Sequence, residues 1–296
     1  MKTYNDIYLA VRRKLKAAGV EGFQVEARLI ACSAAGKTKE ELFRDLKLYV
    51  TDEYEKKVED MVTRRLAGEP VAQVTGEWEF MGLPIQVTPD VLIPRIDTEV
   101  LAEAAIDHLR SKDVSGSRVL DLCTGSGCVG ISIAANVPDC RLVLVDKSLK
   151  ALAVCRNNVM RNNLARCVMC LDADVLKPPP MLIGRFDLIV ANPPYIPTGE
   201  LGDLDSSVKD FEPRMALDGG EDGLVFYRSI ASKWKSVLKD NGWIMMECGE
   251  GQADALEEIL QRCGFTDLAR YKDTIGVDRV VVGRVTNPYS IHVKGE

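Results

Sequence analysis

Histidine is scarce in this chain: His108 and His292 are the only two in 296 residues. The commonest metal ligand and the commonest general base are therefore missing from most of the sequence, and any chemistry falls to other groups. No apolar run approaches the length of a membrane span, and the start, Met1-Lys2-Thr3-Tyr4-Asn5-Asp6, is polar and leads into no signal core. A cytoplasmic protein with no membrane partner is the expectation. A surplus of positive charge is missing too, since the formal net charge is −6. Without a basic footprint the chain is poorly suited to a polyphosphate backbone, so direct nucleic-acid binding is not expected and the partner should be a protein or a small molecule. Cysteine is plentiful, with nine residues, but lacks a useful arrangement. Cys123, Cys140 and Cys248 fall in apolar, strand-like stretches of a long chain, which reads as buried free thiols and not as a disulfide framework. Cys167 and Cys170 form one C-x-x-C with no second pair or neighbouring His, so no metal is expected.

A chain of 296 residues can hold one large domain and one small. Residues 1–70 show helical spacing without strand alternation: Ile7, Val11 and Leu15 recur at every fourth position, and Gly19 lies just past the pattern. A last helix begins at Asp52 with Thr51 as its N-cap, places Val58, Met61, Val62 and Leu66 on one face, and stops at Gly68 before Pro70. Residues 71–95 turn to strand chemistry and read as a β-hairpin linker, with Met81-Gly82 as the turn between Trp78-Glu79-Phe80 and Leu83-Pro84-Ile85-Gln86-Val87. Residues 96–296 alternate between the two patterns. Strands are expected over 118–122, 142–145, 168–171, 186–190 and 243–247, with a terminal pair near Leu268 and Val280. Helices are expected through 101–109, from Val129, from Ser148, and up to Arg262. This alternation predicts an α/β fold, a mostly parallel sheet with helices on both faces. Residues 196–222 have no clear periodicity, and so long a loop in a compact domain is usually functional or mobile; covering the site is one role open to it.

Three features fall at the carboxyl ends of strands, where ligands bind in open α/β sheets. Asp121-Leu122-Cys123-Thr124-Gly125-Ser126-Gly127-Cys128-Val129-Gly130 holds a G-x-G-x-x-G between a strand and a helix. Its glycines allow close approach of a cofactor, and the spacing suits nicotinamide cofactors and phosphate-free nucleoside cofactors alike. Asp146 ends the next strand, where a carboxylate can accept hydrogen bonds from both ribose hydroxyls. Asn192-Pro193-Pro194-Tyr195 follows the strand 186–190. Two prolines make the corner rigid, Asn192 and the Pro193 carbonyl offer acceptors, and the Tyr195 ring offers an apolar, electron-rich face. Such a corner can grip a substrate –NH2 beside a sulfonium.

The Gly-rich loop, the strand-end Asp and N-P-P-Y, in this order, resemble the class I methyltransferases that use S-adenosylmethionine. Gly68-Glu69-Pro70-Val71-Ala72-Gln73, Thr75-Gly76, Leu92-Ile93-Pro94-Arg95-Ile96-Asp97-Thr98-Glu99, Phe211-Glu212-Pro213 and Asp278-Arg279-Val280 resemble more narrowly the peptide chain release factor N5-glutamine methyltransferase family, across nearly the whole chain. The resemblance implies a Rossmann-like class I domain over 96–296, preceded by a helical substrate-recognition domain over 1–70. It implies that Cys123, Thr124, Gly125, Ser126, Gly127 and Asp146 bind S-adenosylmethionine, with Asp174 and Val175 near the adenine. It also implies that Asn192, Pro193, Pro194 and Tyr195 bind the target glutamine and are catalytic, with Asn192 belonging to the cofactor set as well. The target in the family is the glutamine of the Gly-Gly-Gln loop of release factors, and a monomer is expected. One position departs: the family usually has Gly at 123, so Cys123 implies a backbone there that tolerates a side chain.

Three other readings compete. An amino-group methyltransferase acting on adenine or guanine in nucleic acid could use the same corner, but would need a basic stripe and a base-reading domain. A nicotinamide oxidoreductase leaves N-P-P-Y without a role. A cofactor-binding scaffold without activity leaves an intact acceptor corner unexplained.

Overall fold

The protein is described from a computed structural model, over residues 1–111 and 116–286. The chain begins with α1 (Tyr4–Ala17), α2 (Phe23–Ala35), α3 (Lys39–Arg44) and α4 (Asp52–Leu66). Threonines start three of them: Thr3 and Thr38 form capping boxes with Asp6 and Glu41, and Thr51 Oγ1 accepts from the Tyr54 amide at 3.2 Å. Ile7, Val11 and Leu15 pack against Ala27, Ile30, Val58, Met61 and Val62 in one core. Leu66, expected on the buried face of α4, is exposed.

The linker departs from its strand reading at its start. Val71–Thr75 is a short helix, α5, and Val71 and Val74 are buried in the core of the helical unit. Five residues are too few for a 3.6-residue period to show, and burial against α2 and α4 overrides the strand preference of Val and Thr. The hairpin itself forms as read, with β1 (Glu77–Phe80) and β2 (Leu83–Gln86) antiparallel about Met81-Gly82. Beyond it, Val87, Val91 and Ile93 pack with Ala72 on one side and with Ala151 and Val154 of the large domain on the other.

The large domain runs α6 (Glu99–Ser111), β3 (Arg118–Leu122), α7 (Cys128–Asn136), β4 (Arg141–Asp146), α8 (Leu149–Arg161), β5 (Val168–Asp172), β6 (Phe186–Ala191), α9 (Ser206–Lys209), α10 (Val225–Lys233), β7 (Leu238–Glu247), α11 (Ala253–Arg262), β8 (Phe265–Lys272) and β9 (Asp278–Val285). Seven strands form one sheet in the order β5-β4-β3-β6-β7-β9-β8. The first five are parallel, and β9 is inserted antiparallel between β7 and β8. Alternation along each strand supplies two cores. Val119, Leu142, Leu144, Leu188 and Val190 pack with residues of α6, α7 and α8, whereas Leu120, Leu122, Val143, Val145 and Ile189 pack with residues of α10 and α11. The stretch 196–222 is not wholly irregular: it holds α9 and two 3-10 turns, Thr198–Asp203 and Arg214–Ala216. None is long enough to leave a period in the sequence.

Candidate active site

The strand order reverses its progression at β3 and β6, and a cavity of about 310 Å³ opens beside the carboxyl ends there. Cys123, Thr124, Gly125 and Ser126 line it from the loop after β3, Asp146 from the end of β4, Asp174 and Val175 from the turn after β5, and Asn192 and Pro194 from the corner after β6. Pro213, Met215 and Ala216 of the long connection border one side, so the later part of that segment lies against the cavity.

Gly127, Pro193 and Tyr195 were expected at the site but do not line this cavity. A Cβ on Gly127 would lie 2.8 Å from Cys155 Sγ, and one on Gly130 would lie 2.2 Å from Leu144 Cδ2. These glycines let α7 settle on the sheet; of the three in the motif, Gly125 is the one beside the cavity, with φ +54° and open space at its Cβ position. Cys123 has φ +58°, a left-handed backbone that its side chain makes strained, so this position favours glycine more than its occupant suggests. Pro193 is buried. The Tyr195 ring packs toward the core beneath α10 and α11, burial pushes its phenol up, and its carbonyl accepts from Gln252 Nε2 at 2.8 Å.

Two carboxylates organise the loop. Asp121 is buried, and its Oδ2 accepts from Thr124 Oγ1 at 2.6 Å and from the Gly130 amide at 3.1 Å. Burial pushes its carboxyl up to about 7 against those two bonds. Asp146 Oδ2 accepts from the Gly125 amide at 2.9 Å and Oδ1 from the Ser148 amide at 2.8 Å, and burial outweighs these bonds to raise its pKa. At Asp174 burial acts upward, but the Lys147 ammonium at 3.0 Å and the Leu176 amide together outweigh it and leave the group lowered. Asn158 of α8, fully buried, ties the loop to the hairpin by donating to the carbonyls of Ser126 at 2.9 Å and Gln86 at 3.1 Å.

The charges select among cofactor chemistries. The cationic side chains that line the cavity are already paired, Arg95 with Glu212, Lys147 with Asp174 and Lys150 with Asp90, and an amide of the first turn of α7 is spent on Asp121. A pyrophosphate would find carboxylates where it needs donors. A phosphate-free nucleoside carrying positive charge fits this lining. Among the described residues no group of three or more His, Cys, Asp or Glu could hold a metal. The C-x-x-C does not close on itself: Cys170 Sγ lies 3.5 Å from Cys155 Sγ, while Cys167 Sγ donates to the Leu164 carbonyl.

Known proteins agree with this architecture. Residues 6–76 match the PrmC N-terminal domain family and residues 96–204 the methyltransferase small domain family. The chain is 39% identical over 276 residues to the release factor glutamine methyltransferase of Geobacter sulfurreducens, covering 93% of this chain and 94% of that one. It is 38% identical over 257 residues to the release factor glutamine methyltransferase of Thermodesulfovibrio yellowstonii, covering 87% and 91%. The chain belongs to the release factor glutamine methyltransferase family. It is therefore an enzyme, a methyltransferase. Among solved structures it superposes on the hMettl16 catalytic domain in complex with MAT2A 3'UTR hairpin 6 with a TM-score of 0.55 at 16% identity, over 80% of this chain and 84% of that one, a likeness of fold alone.

Two of the segments that carried the family resemblance line the cavity, through Leu92, Pro94, Arg95, Thr98 and Pro213, and others are tied to them, which their separate positions in the sequence did not reveal. Glu212 is buried, accepts from the Ile93 amide at 3.0 Å and pairs with Arg95. Gln73 Nε2 donates to the Phe211 carbonyl at 2.9 Å, so the long connection is pinned both to the linker and to α5. Asp97 pairs with Arg279 at 2.9 Å. Glu99 accepts from the Met81 amide at 2.9 Å and fixes the hairpin turn. Thr98 Oγ1 accepts from Asn192 Nδ2 at 3.1 Å, so the stretch 93–99 reaches the acceptor corner itself.

Proposed function

We propose that this enzyme transfers a methyl group from S-adenosylmethionine to the side-chain amide nitrogen of the glutamine in the Gly-Gly-Gln loop of a peptide chain release factor. The observation that carries this reading is the orientation of Asn192: its Nδ2 is engaged by Thr98 Oγ1, which leaves Oδ1 as the atom available to a substrate N–H. Asp146, Asp174, Val175 and the run from Cys123 to Ser126 are the residues to hold the cofactor, with Gly127 supporting the loop from beneath. Bound there, S-adenosylmethionine supplies a methyl group on a positively charged sulfur.

An amide nitrogen is a poor nucleophile because its lone pair is delocalised, so positioning has to supply most of the acceleration. Asn192 Oδ1 is proposed to accept from the acceptor amide, aligning the nitrogen and stabilising the positive charge that develops on it as it takes the methyl group, after which its surplus N–H proton passes to solvent. The Pro193 carbonyl, expected as the second acceptor, belongs to a residue that does not line the cavity. Alignment of this kind supplies about 7–11 kcal/mol in favourable intramolecular reactions, which makes a histidine base unnecessary. Tyr195 is proposed to shape the corner from the core side. Residues 1–70 are assigned to recognition of the protein substrate, and the enzyme to the cytoplasm as a monomer; no helix among the described residues is long and apolar enough to cross a membrane.

Incubation with methyl-labelled cofactor and either a release factor or nucleic acid tests the reading. Label on the Gly-Gly-Gln glutamine is expected; label on adenine or guanine would replace this reading with amino-group methylation of nucleic acid, and label on neither would leave a binding scaffold.

A further inference from the structure

Beneath the acceptor corner lies a carboxylate that the proposed chemistry does not use. Glu247, the last residue of β7, is 2% exposed, and its Oε2 has no hydrogen-bond partner. Thr98 and Asn192, joined to each other by a hydrogen bond, are its polar neighbours and both hold its carboxyl down against the rise that burial imposes, while Oε2 stays unpartnered. Three separate elements therefore meet here: the 3-10 turn Ile96–Thr98 before α6, the exit of β6 and the end of β7.

A carboxylate acceptor at Glu247 favours one polarity for this trio. A threonine hydroxyl has a single proton to donate. If Thr98 gives it to Glu247, its oxygen can only accept from Asn192, so Asn192 must turn Nδ2 toward Thr98 and keep Oδ1 for the cavity. That is the arrangement observed, with Nδ2 to Oγ1 at 3.1 Å. Without an acceptor at position 247 the hydroxyl is free to donate to Asn192 Oδ1. The amide would then turn over and present N–H groups to the N–H groups of its substrate.

We infer that Glu247, acting through Thr98, is the positioning residue that sets which end of the Asn192 amide faces the acceptor. The inference rests on Asn192 being the group that binds the target amide. It carries a pH dependence, because a protonated carboxyl can itself donate to Thr98 and release the hydroxyl proton toward Asn192. Burial, the strongest influence, pushes Glu247 up to about 7; Asp97 adds to this, while the Thr98 and Asn192 hydrogen bonds and Arg279 oppose it. Tyr195, Cys248, Cys128 and Tyr227 are the other titratable groups that feel its charge.

Single-turnover methyl transfer at saturating cofactor and release factor is the measurement, with cofactor Kd from calorimetry and thermal unfolding as checks on integrity. Thr98→Val and Glu247→Leu should each slow transfer by about tenfold to a hundredfold with cofactor Kd within about twofold of wild type. Thr98→Ser keeps the hydroxyl and should stay within about threefold. The double variant Thr98→Val with Glu247→Leu should be no slower than the slower single variant, because both act on the same amide. Glu247→Gln, which like the protonated carboxyl can donate to Thr98, should transfer at the wild type's low-pH rate throughout and lose the change in rate expected of the wild type near pH 7. Wild-type transfer in Thr98→Val, or losses that multiply in the double variant, would overturn the role of Glu247. Asn192→Ala separates the layers: an inactive Asn192→Ala beside an unimpaired Thr98→Val removes only the positioning role, whereas an active Asn192→Ala removes the acceptor reading beneath it.

Discussion

On the cofactor side of the cavity, Asp121 holds Thr124 and Gly130 across three and nine residues of chain, whereas on the acceptor side Asn192 meets Thr98 across 94 and Glu212 meets Ile93 across 119. One side is a single strand–loop–helix unit whose geometry follows from local sequence. The other exists only when distant segments have come together. The lesson is that the residues proposed to bind the cofactor and those proposed to align the acceptor rest on different parts of the fold, so the two roles should fail separately.

The largest expected effect comes from Asn192→Ala. Losing one preorganised hydrogen bond to the developing charge costs about 2.7–4 kcal/mol, roughly a hundredfold to a thousandfold in single-turnover rate, with cofactor Kd nearly unchanged. A parallel loss of cofactor affinity would break the comparison by showing that the two sides share one support. The mirror experiment is Asp146→Ala. Its carboxylate can add charge-assisted bonds to ribose, worth about 1.5–3 kcal/mol, so calorimetry should show affinity for S-adenosylmethionine weakened by roughly tenfold to a hundredfold or more, while transfer at saturating cofactor is close to wild type. An unchanged Kd in folded Asp146→Ala would take this residue out of the cofactor side.

Asp121 sharpens the contrast through stability. Its folded pKa of about 7 stands above its ordinary 3.8, so between those values the folded protein keeps a proton that the unfolded chain has released. This contribution is full below about pH 4 and is lost as pH rises toward 7, at a slope of up to about 1.4 kcal/mol per pH unit. Asp121→Asn keeps an acceptor for Thr124 and Gly130 and removes the titration. Denaturant unfolding at pH 5 and pH 8 should therefore show a smaller loss on going alkaline in the variant than in the wild type. The smallest effect belongs to Cys123→Gly, where relief of a left-handed backbone is offset by the greater freedom of glycine in the unfolded chain and by lost packing. A net change within about 1 kcal/mol is expected from thermal unfolding.

Legibility in the sequence follows the same division. Most strands and helices of the large domain, the Thr51 cap and the Met81-Gly82 turn lie in local patterns and form close to where those patterns put them. However, β7 begins five residues before the expected 243, and the helix expected from Ser148 starts at Leu149 with Ser148 as its cap. The places of Asp146 and Asn192 beside the cavity were legible because each lies at the end of an apolar strand. Glu247 ends one too, but nothing within reach of β7 in the sequence says that Thr98 will face it. Asp121 was hidden inside a strand that reads as core, with its partners visible only once α7 docks. Tyr195 and Gly127 were misplaced for one reason: a motif shows which residues are adjacent, and only packing against Gln252 or Cys155 shows which way each one faces. Val71–Thr75 was mistaken for strand because a single helical turn has no period to display.

The inserted position of β9 governs the order in which this molecule can be completed. The helical unit can bury its core as soon as its own residues have been made, and the Gly-rich loop follows soon after. Arg279, the partner of Asp97, lies on β9, which is hydrogen-bonded on one side to β7 and on the other to β8. During translation the edge of β7 therefore stays open from the completion of β7 at Glu247 until β9 is complete at Val285, for roughly 2–8 seconds at elongation rates of about 5–20 residues per second. A growing chain at that stage has its cofactor loop but lacks the strand that closes the acceptor side, and it exposes an unpaired edge of the kind that recruits other chains. The enzyme's own biogenesis is therefore most vulnerable between the making of β7 and the making of β9.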